Sequence, residues 1–100
     1  MDRETKIKNR EFYNSLLSYI ISLQLKLHPD LRFIQALWSL RIIDVSNDNI
    51  IIDRFYEEPY DTLKRIKSKV SEVLQTAVIR DVIDEEFDTK YHQLRDLNII

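Results

Sequence analysis

No glycine occurs in this 100-residue chain. At ordinary usage about seven would be present. Glycine lets a backbone take positive φ without a steric penalty and lets it approach a phosphate closely. Without it, the Walker loop, the dinucleotide-binding fingerprint and the kinase glycine-rich loop are all excluded. Tight two-residue hairpins also lose their best residue and must rely on Asn or Asp. The expected solution is helical, with Asn and Asp serving at the turns.

The remaining composition fits one compact domain spanning residues 1–100. Apolar residues make up 44% and charged residues 32%, a globular balance rather than a disordered one. The net charge of −2 creates no global attraction for nucleic acid or anionic lipid, so such binding would need a local patch. Cysteine is absent, which removes disulfides and thiolate metal sites. The first residues, MDRETKIKNR, are charged and lack the apolar core of a signal peptide. The apolar stretches are interrupted too early to cross a bilayer. A soluble, cytoplasmic protein with no membrane partner is expected.

Apolar periodicity divides the chain. Tyr13, Leu16, Leu17, Ile20, Leu23 and Leu27 recur at helical spacing and predict a long helix over residues 4–27, closed by His28-Pro29. Asp30 reads as the N-cap of a second helix over 31–42 with Phe33, Ile34, Leu37, Trp38 and Leu40 on its apolar positions. The short connection predicts an antiparallel helical hairpin. DVSNDN, ending at Asn49, reads as a turn. The run Ile50-Ile51-Ile52 is expected to cross the helices in extended form, anchored by Phe55 and Tyr56.

Pro59 suits the first turn of a further helix. Leu63, Ile66, Val70, Val73 and Ala77 then step 3, 4, 3, 4, a short heptad seam through which the chain could self-associate. The seam fails at Arg80 and Asp84, which predicts a bend or a junction of two helices near 76–81. Val78, Ile79, Val82 and Ile83 leave a local strand open there, and Ile99-Ile100 is expected to dock on the core or a partner. The fold class is all-α: a hairpin, an extended crossing segment, and a long or broken C-terminal helical region. Leu16, Leu17, Ile20, Phe33, Leu37, Leu40, Leu63, Ile66 and Val70 form the expected core.

Chemistry is harder to find. Asp84, Asp88 and His92 fall four residues apart and would share a helix face able to chelate a divalent ion, although a solvated acidic face is much the simpler reading. DVSNDNIIIDRF fails as a calcium loop, with no glycine at the sixth position and Phe55 where a bidentate Glu belongs. Lys64, Arg65, Lys67 and Lys69 offer a basic stretch for nucleic acid, as do Arg3, Lys6, Lys8 and Arg10, but acidic neighbours make a solvated face the simpler reading. No nucleophile, base and orienting group form a recognisable set, so neither an enzyme nor a cofactor is expected. The aromatic-acidic run Arg54, Tyr56, Glu57, Glu58 and Tyr60 is the best candidate for a partner-binding edge. Arg32, placed against its helix dipole, is expected to pair with Glu57, Glu58 or Asp61.

HPDLRFIQALWSLRIID followed by DRFYEEPYDTLKRI resembles a family of short, functionally uncharacterised bacterial and phage-related helical proteins with the pattern PDLRF-x-QAL-x-x-L, a gap, then D-x-FYEEP-x-x-TL-x-R. The resemblance covers residues 29–66 and implies a helical module without an assigned reaction. It also implies glycine at the positions of Ile34 and Arg41. Arg41 should then make a left-handed helix end costlier and lengthen the second helix. The expected function is a non-enzymatic protein-interaction module binding another protein or a second copy. The alternatives are a nucleic-acid accessory protein and a metal-dependent activity at the Asp84–His92 face.

Overall fold

The structure, a computed structural model, describes residues 2–48, 50–52 and 54–100. Asn49, the end of the turn read from composition, and Asp53, in the DRFYEEP run, lie outside the described residues. In chain order the elements are α1 (Arg3–Leu27), α2 (Phe33–Ser39), β1 (Asp44–Val45), β2 (Ile51–Ile52), α3 (Pro59–Arg65), α4 (Lys67–Ile79) and α5 (Phe87–Asp96). The fold is all-α apart from that two-residue ladder, and α1 is its centre, packing against α2, α3, α4 and α5.

Helix α1 starts where the Asp2 carboxylate accepts the Thr5 N–H at 2.8 Å. It ends at His28, whose N–H returns to the Gln24 carbonyl. Its apolar stripe buries Leu16, Tyr19, Ile20, Leu23 and Leu27. The seam of α3 and α4 (Leu63, Ile66, Val70, Val73 and Ala77) closes on that stripe and is buried throughout. The seam is therefore spent inside the chain, and self-association would have to use another face. Ile66 interrupts the path between α3 and α4 with φ −101° and ψ 16°, an earlier break than the sequence suggested. The expected junction near residues 76–81 is also present, as the end of α4, and residues 78–83 form a helix end and turn rather than a strand. Ile99 docks on the core.

Helix α2 is shorter than expected. Pro29 and Asp30 sit in a turn closed by the Leu31 N–H on the His28 carbonyl, so Asp30 does not cap the helix. Arg32 is the N-cap residue, and its N–H donates to Gln35 Oε1 at 2.9 Å. Two turns bury only Ala36, with Leu40 just beyond, and leave Phe33, Ile34 and Trp38 exposed. Phe33 is thus not a core residue, and Leu37 and Leu17 are only half-buried.

The helix ends answer the missing glycine. Arg41 (φ 66°), Asp81 (φ 55°) and Asn98 (φ 61°) each take the left-handed conformation just past a helix. After each, the next N–H returns five residues: Ile42 to Leu37, Val82 to Ala77, Ile99 to Leu94. The left-handed residue itself bonds three back, to Trp38, Val78 and Arg95. These are three Schellman ends without glycine. Asp and Asn tolerate the conformation best among the other residues. Arg41 does not, yet it ends α2 rather than extending it. Arg65 offsets the strain by donating from Nη1 to the Arg41 carbonyl (2.6 Å) and from Nη2 to the Ile42 carbonyl (3.1 Å).

Ile51–Ile52 does find a partner. Asp44 pairs with Ile52 and Val45 with Ile51 in an antiparallel ladder. The turn is tied by Ser46, whose N–H donates to the Ile50 carbonyl (2.7 Å) and whose Oγ accepts from Ile50 N (3.2 Å). The expected extended crossing is therefore a minimal hairpin, and its supposed anchors face outward: Phe55 is 81% and Tyr56 91% exposed.

Candidate functional site

The run from Arg54 to Tyr60 divides into a structural half and an outward half. Glu57 is held by Arg65, with Nε to Oε2 at 2.9 Å and Nη2 to Oε1 at 2.8 Å, a bidentate pair in which both side chains are mostly covered. Thr62 Oγ1 donates to Glu57 Oε1 at 2.7 Å. Arg54 bridges Glu57 (3.7 Å) and Asp44 (3.8 Å), and Arg41 also reaches Asp44 at 3.8 Å. The Arg65 hydrogen bonds hold the Glu57 carboxyl below its usual range; burial opposes them and Thr62 assists. This network ties the end of α2, the hairpin and the start of α3 into one joint.

Glu58 turns the other way. Arg10 of α1 grips it, Nη2 to Oε1 at 2.7 Å and Nε to Oε2 at 2.9 Å. Tyr60 packs against Tyr13 with ring centroids 5.1 Å apart and the rings tilted by 42°, and Lys64 Nζ lies 5.3 Å from the Tyr60 ring. Of the candidate edge, only Tyr56 projects freely, beside Phe55 with an edge-to-face contact at 5.0 Å. Arg32 makes none of the expected ion pairs with Glu57, Glu58 or Asp61; Arg65 and Arg54 occupy Glu57, and Arg10 occupies Glu58.

The basic stretch is likewise split. Arg65 belongs to the joint and Lys69 lies 3.7 Å from Glu72, which leaves Lys64 and Lys67 at the surface. The Tyr13–Tyr60 contact does bring Lys64 to the side of the molecule that carries Arg10.

Asp84, Asp88 and His92 do not share a helix. Helix α5 begins at Phe87, so Asp84 sits in the preceding turn. There it accepts from Tyr19 Oη at 3.0 Å and Lys26 Nζ at 3.1 Å. Burial raises the Asp84 carboxyl, but the Lys26 and Tyr19 bonds, the Glu86 N–H and the Lys26 charge together bring the net direction down. Among the described residues no group of three or more His, Cys, Asp or Glu side chains is placed to hold a metal ion.

A cleft between α1, α2 and α4 is lined by Gln24, His28, Ser39, Lys69 and Glu72. Ser39 Oγ donates to the Ala36 carbonyl and accepts from Gln24 Nε2, which leaves it committed within the fold. No helix among the described residues is long and apolar enough to cross a membrane.

Besides Ile50, Ile52, Phe55 and Tyr56 near the hairpin, two further apolar surfaces stand among the described residues. One is the outer side of α2, where Phe33, Ile34 and Trp38 (49% exposed) stand with Arg41 5.9 Å from the Trp38 ring. The other is the corner between α4 and α5, with Val78, Ile79 (83% exposed), Ile83 and Tyr91. Of these side chains only Phe33 was expected in the core, and neither surface was foreseen from the apolar spacing. The brevity of α2 was the missing signal, since two turns cannot cover so many large side chains. Compared with known proteins, the chain matches no family model, no curated protein and no solved structure.

Proposed function

We propose that the chain is a non-enzymatic protein-interaction module whose docking surface is the outer side of α2. The supporting observation is Phe33, Ile34 and Trp38, three large apolar side chains on a two-turn helix, all exposed. Most exposed apolar residues stand singly, whereas a cluster of this kind marks a contact site. Trp and neighbouring Arg are the side chains that most often dominate binding energy, and here Arg41 lies against Trp38. The rigid joint behind the helix holds that surface in place, because Arg65 fixes the end of α2 through two carbonyls. Of the Arg54–Tyr60 run, Tyr56 with the neighbouring Phe55 is the part exposed enough to take part in binding.

The test is affinity capture with the purified chain against W38A and with F33S/I34S. Partners lost with both variants, while the folded helical spectrum persists, support the surface. Partners retained by both variants place the contact elsewhere.

Nucleic-acid contact is a second reading, favoured by exposed Lys64 beside the Tyr60–Tyr13 aromatic pair. It requires salt-dependent binding of DNA or RNA that falls on charge reversal at Lys64 and Lys67.

A further inference from the structure

The corner between α4 and α5 is apolar at its centre and acidic on balance beside it, where five carboxylates outnumber Arg80, Lys90 and Arg95. Leu74, Gln75, Val78, Ile79 and Tyr91 line a shallow groove of about 350 Å³. The adjoining turn and first turn of α5 carry Asp81, Glu85, Glu86 and Asp88, all exposed. None of these four makes an ion pair with another described residue. The only acid of the cluster that does is Asp84, through Lys26.

The outer side of α2 has the opposite character. Phe33, Ile34 and Trp38 are bounded by Arg32 and Arg41, both exposed. Arg32 makes no ion pair among the described residues, and Arg41 reaches only Asp44, at 3.8 Å. Both surfaces are open, so neither covers the other within one chain. Apolar centres that match, with rims of opposite sign, are the arrangement that steers two proteins together and fixes their register.

We infer that the occupant of the α4–α5 groove is the α2 surface of a second copy of this chain, with Trp38 or Phe33 entering between Val78, Ile79 and Tyr91 and with Arg32 and Arg41 facing Asp81, Glu85 and Asp88. This rests on the reading of α2 as the docking surface and names its partner. The contact joins two different patches. It closes into a pair only if each copy gives α2 and receives α2; otherwise it extends head to tail.

Sedimentation across micromolar to millimolar concentration is the first measurement. Self-association that weakens in 0.5 M salt is expected, and about a tenfold or greater loss for W38A and for I79E. Charge exchange is the second. R32E/R41E and D81K/E85K/D88K should each be monomeric alone and associate when mixed. R41E also faces Asp44, so R32E alone serves where the double variant fails to fold. Because the chain lacks cysteine, I34C and I79C supply unique thiols; with oxidised glutathione added as the two-electron oxidant, disulfide-linked pairs should form in the mixture and not in either variant alone. A wild-type chain that stays monomeric to millimolar concentration overturns the inference, as does self-association indifferent to both I79E and charge exchange. Capture of a different protein that depends on Trp38, by a chain that stays monomeric, would keep α2 as a docking surface and reject only the second copy as its partner.

Discussion

Arg65 holds Glu57 by two parallel hydrogen bonds while the same guanidinium grips the carbonyls of Arg41 and Ile42. One side chain therefore joins the first turn before α3 to the last turn of α2. A Lys at this position keeps the charge but not the planar fork, so it cannot make both sets of bonds. R65K should lower stability by about 1–2 kcal/mol and R65A by roughly 2–4 kcal/mol, since the latter leaves a covered carboxylate and two carbonyls without their donor. Urea unfolding followed by circular dichroism measures both.

The same pair sets a pH dependence. The Glu57 carboxyl is held below its ordinary value of 4.5. A group lowered on folding stabilises the native state fully above its unfolded value, and that contribution is lost as pH falls through its folded value. Stability should therefore decline below about pH 4.5, and E57Q should flatten the decline while lowering stability at pH 7. An acid limb unchanged in E57Q would show that other carboxylates control it.

Arg41 in the left-handed conformation costs its helix end what a glycine would not. R41G is expected to raise stability by about 0.5–1 kcal/mol, which for a domain of this size is roughly 2–6 °C in melting temperature. N98G and D81G should gain less, because Asn and Asp already tolerate positive φ. R41A should not stabilise, because alanine relieves no strain at φ 66°.

The lone tryptophan reports on α2 directly. Trp38 is half-exposed, so its emission should be red-shifted and readily quenched by acrylamide in the dilute protein. W38A should change stability by less than about 1 kcal/mol, whereas L40A, at a fully buried position, should cost roughly 2–4 kcal/mol. A blue-shifted, protected Trp38 at low concentration would show that the surface of α2 is covered.

The long helices and the seam were legible because their signal is repeated: Leu16, Ile20, Leu63, Ile66 and Val70 each belong to a periodic set, and all are buried. Helix α2 was only partly legible. Its spacing is that of a helix, but spacing cannot tell a face that meets α1 from one that meets solvent, and Phe33 fell on the wrong side. The joint at Glu57 was invisible in principle. Its partner Arg65 stands eight residues away, the carbonyls of Arg41 and Ile42 lie more than twenty residues from Arg65 in turn, and no local pattern relates them. Arg32 looked like the partner because it was the oddly placed charge, while Arg65 looked like one of several basic residues inside a longer helix. The Asp84–His92 reading failed for a simpler reason: four-residue spacing signifies a shared face only if the helix runs through it, and α5 starts after Asp84.

The three glycine-free helix ends bear on the unfolded chain as well as the folded one. Each glycine replaced by a residue with a side chain removes backbone conformations from the denatured ensemble, an effect of about 0.4–1 kcal/mol where the native geometry is unstrained. Strain from positive φ is confined to Arg41, Asp81 and Asn98 among the described residues. Everywhere else this polypeptide is stiffer before it folds than a chain of ordinary composition, and has correspondingly less freedom to surrender when it does.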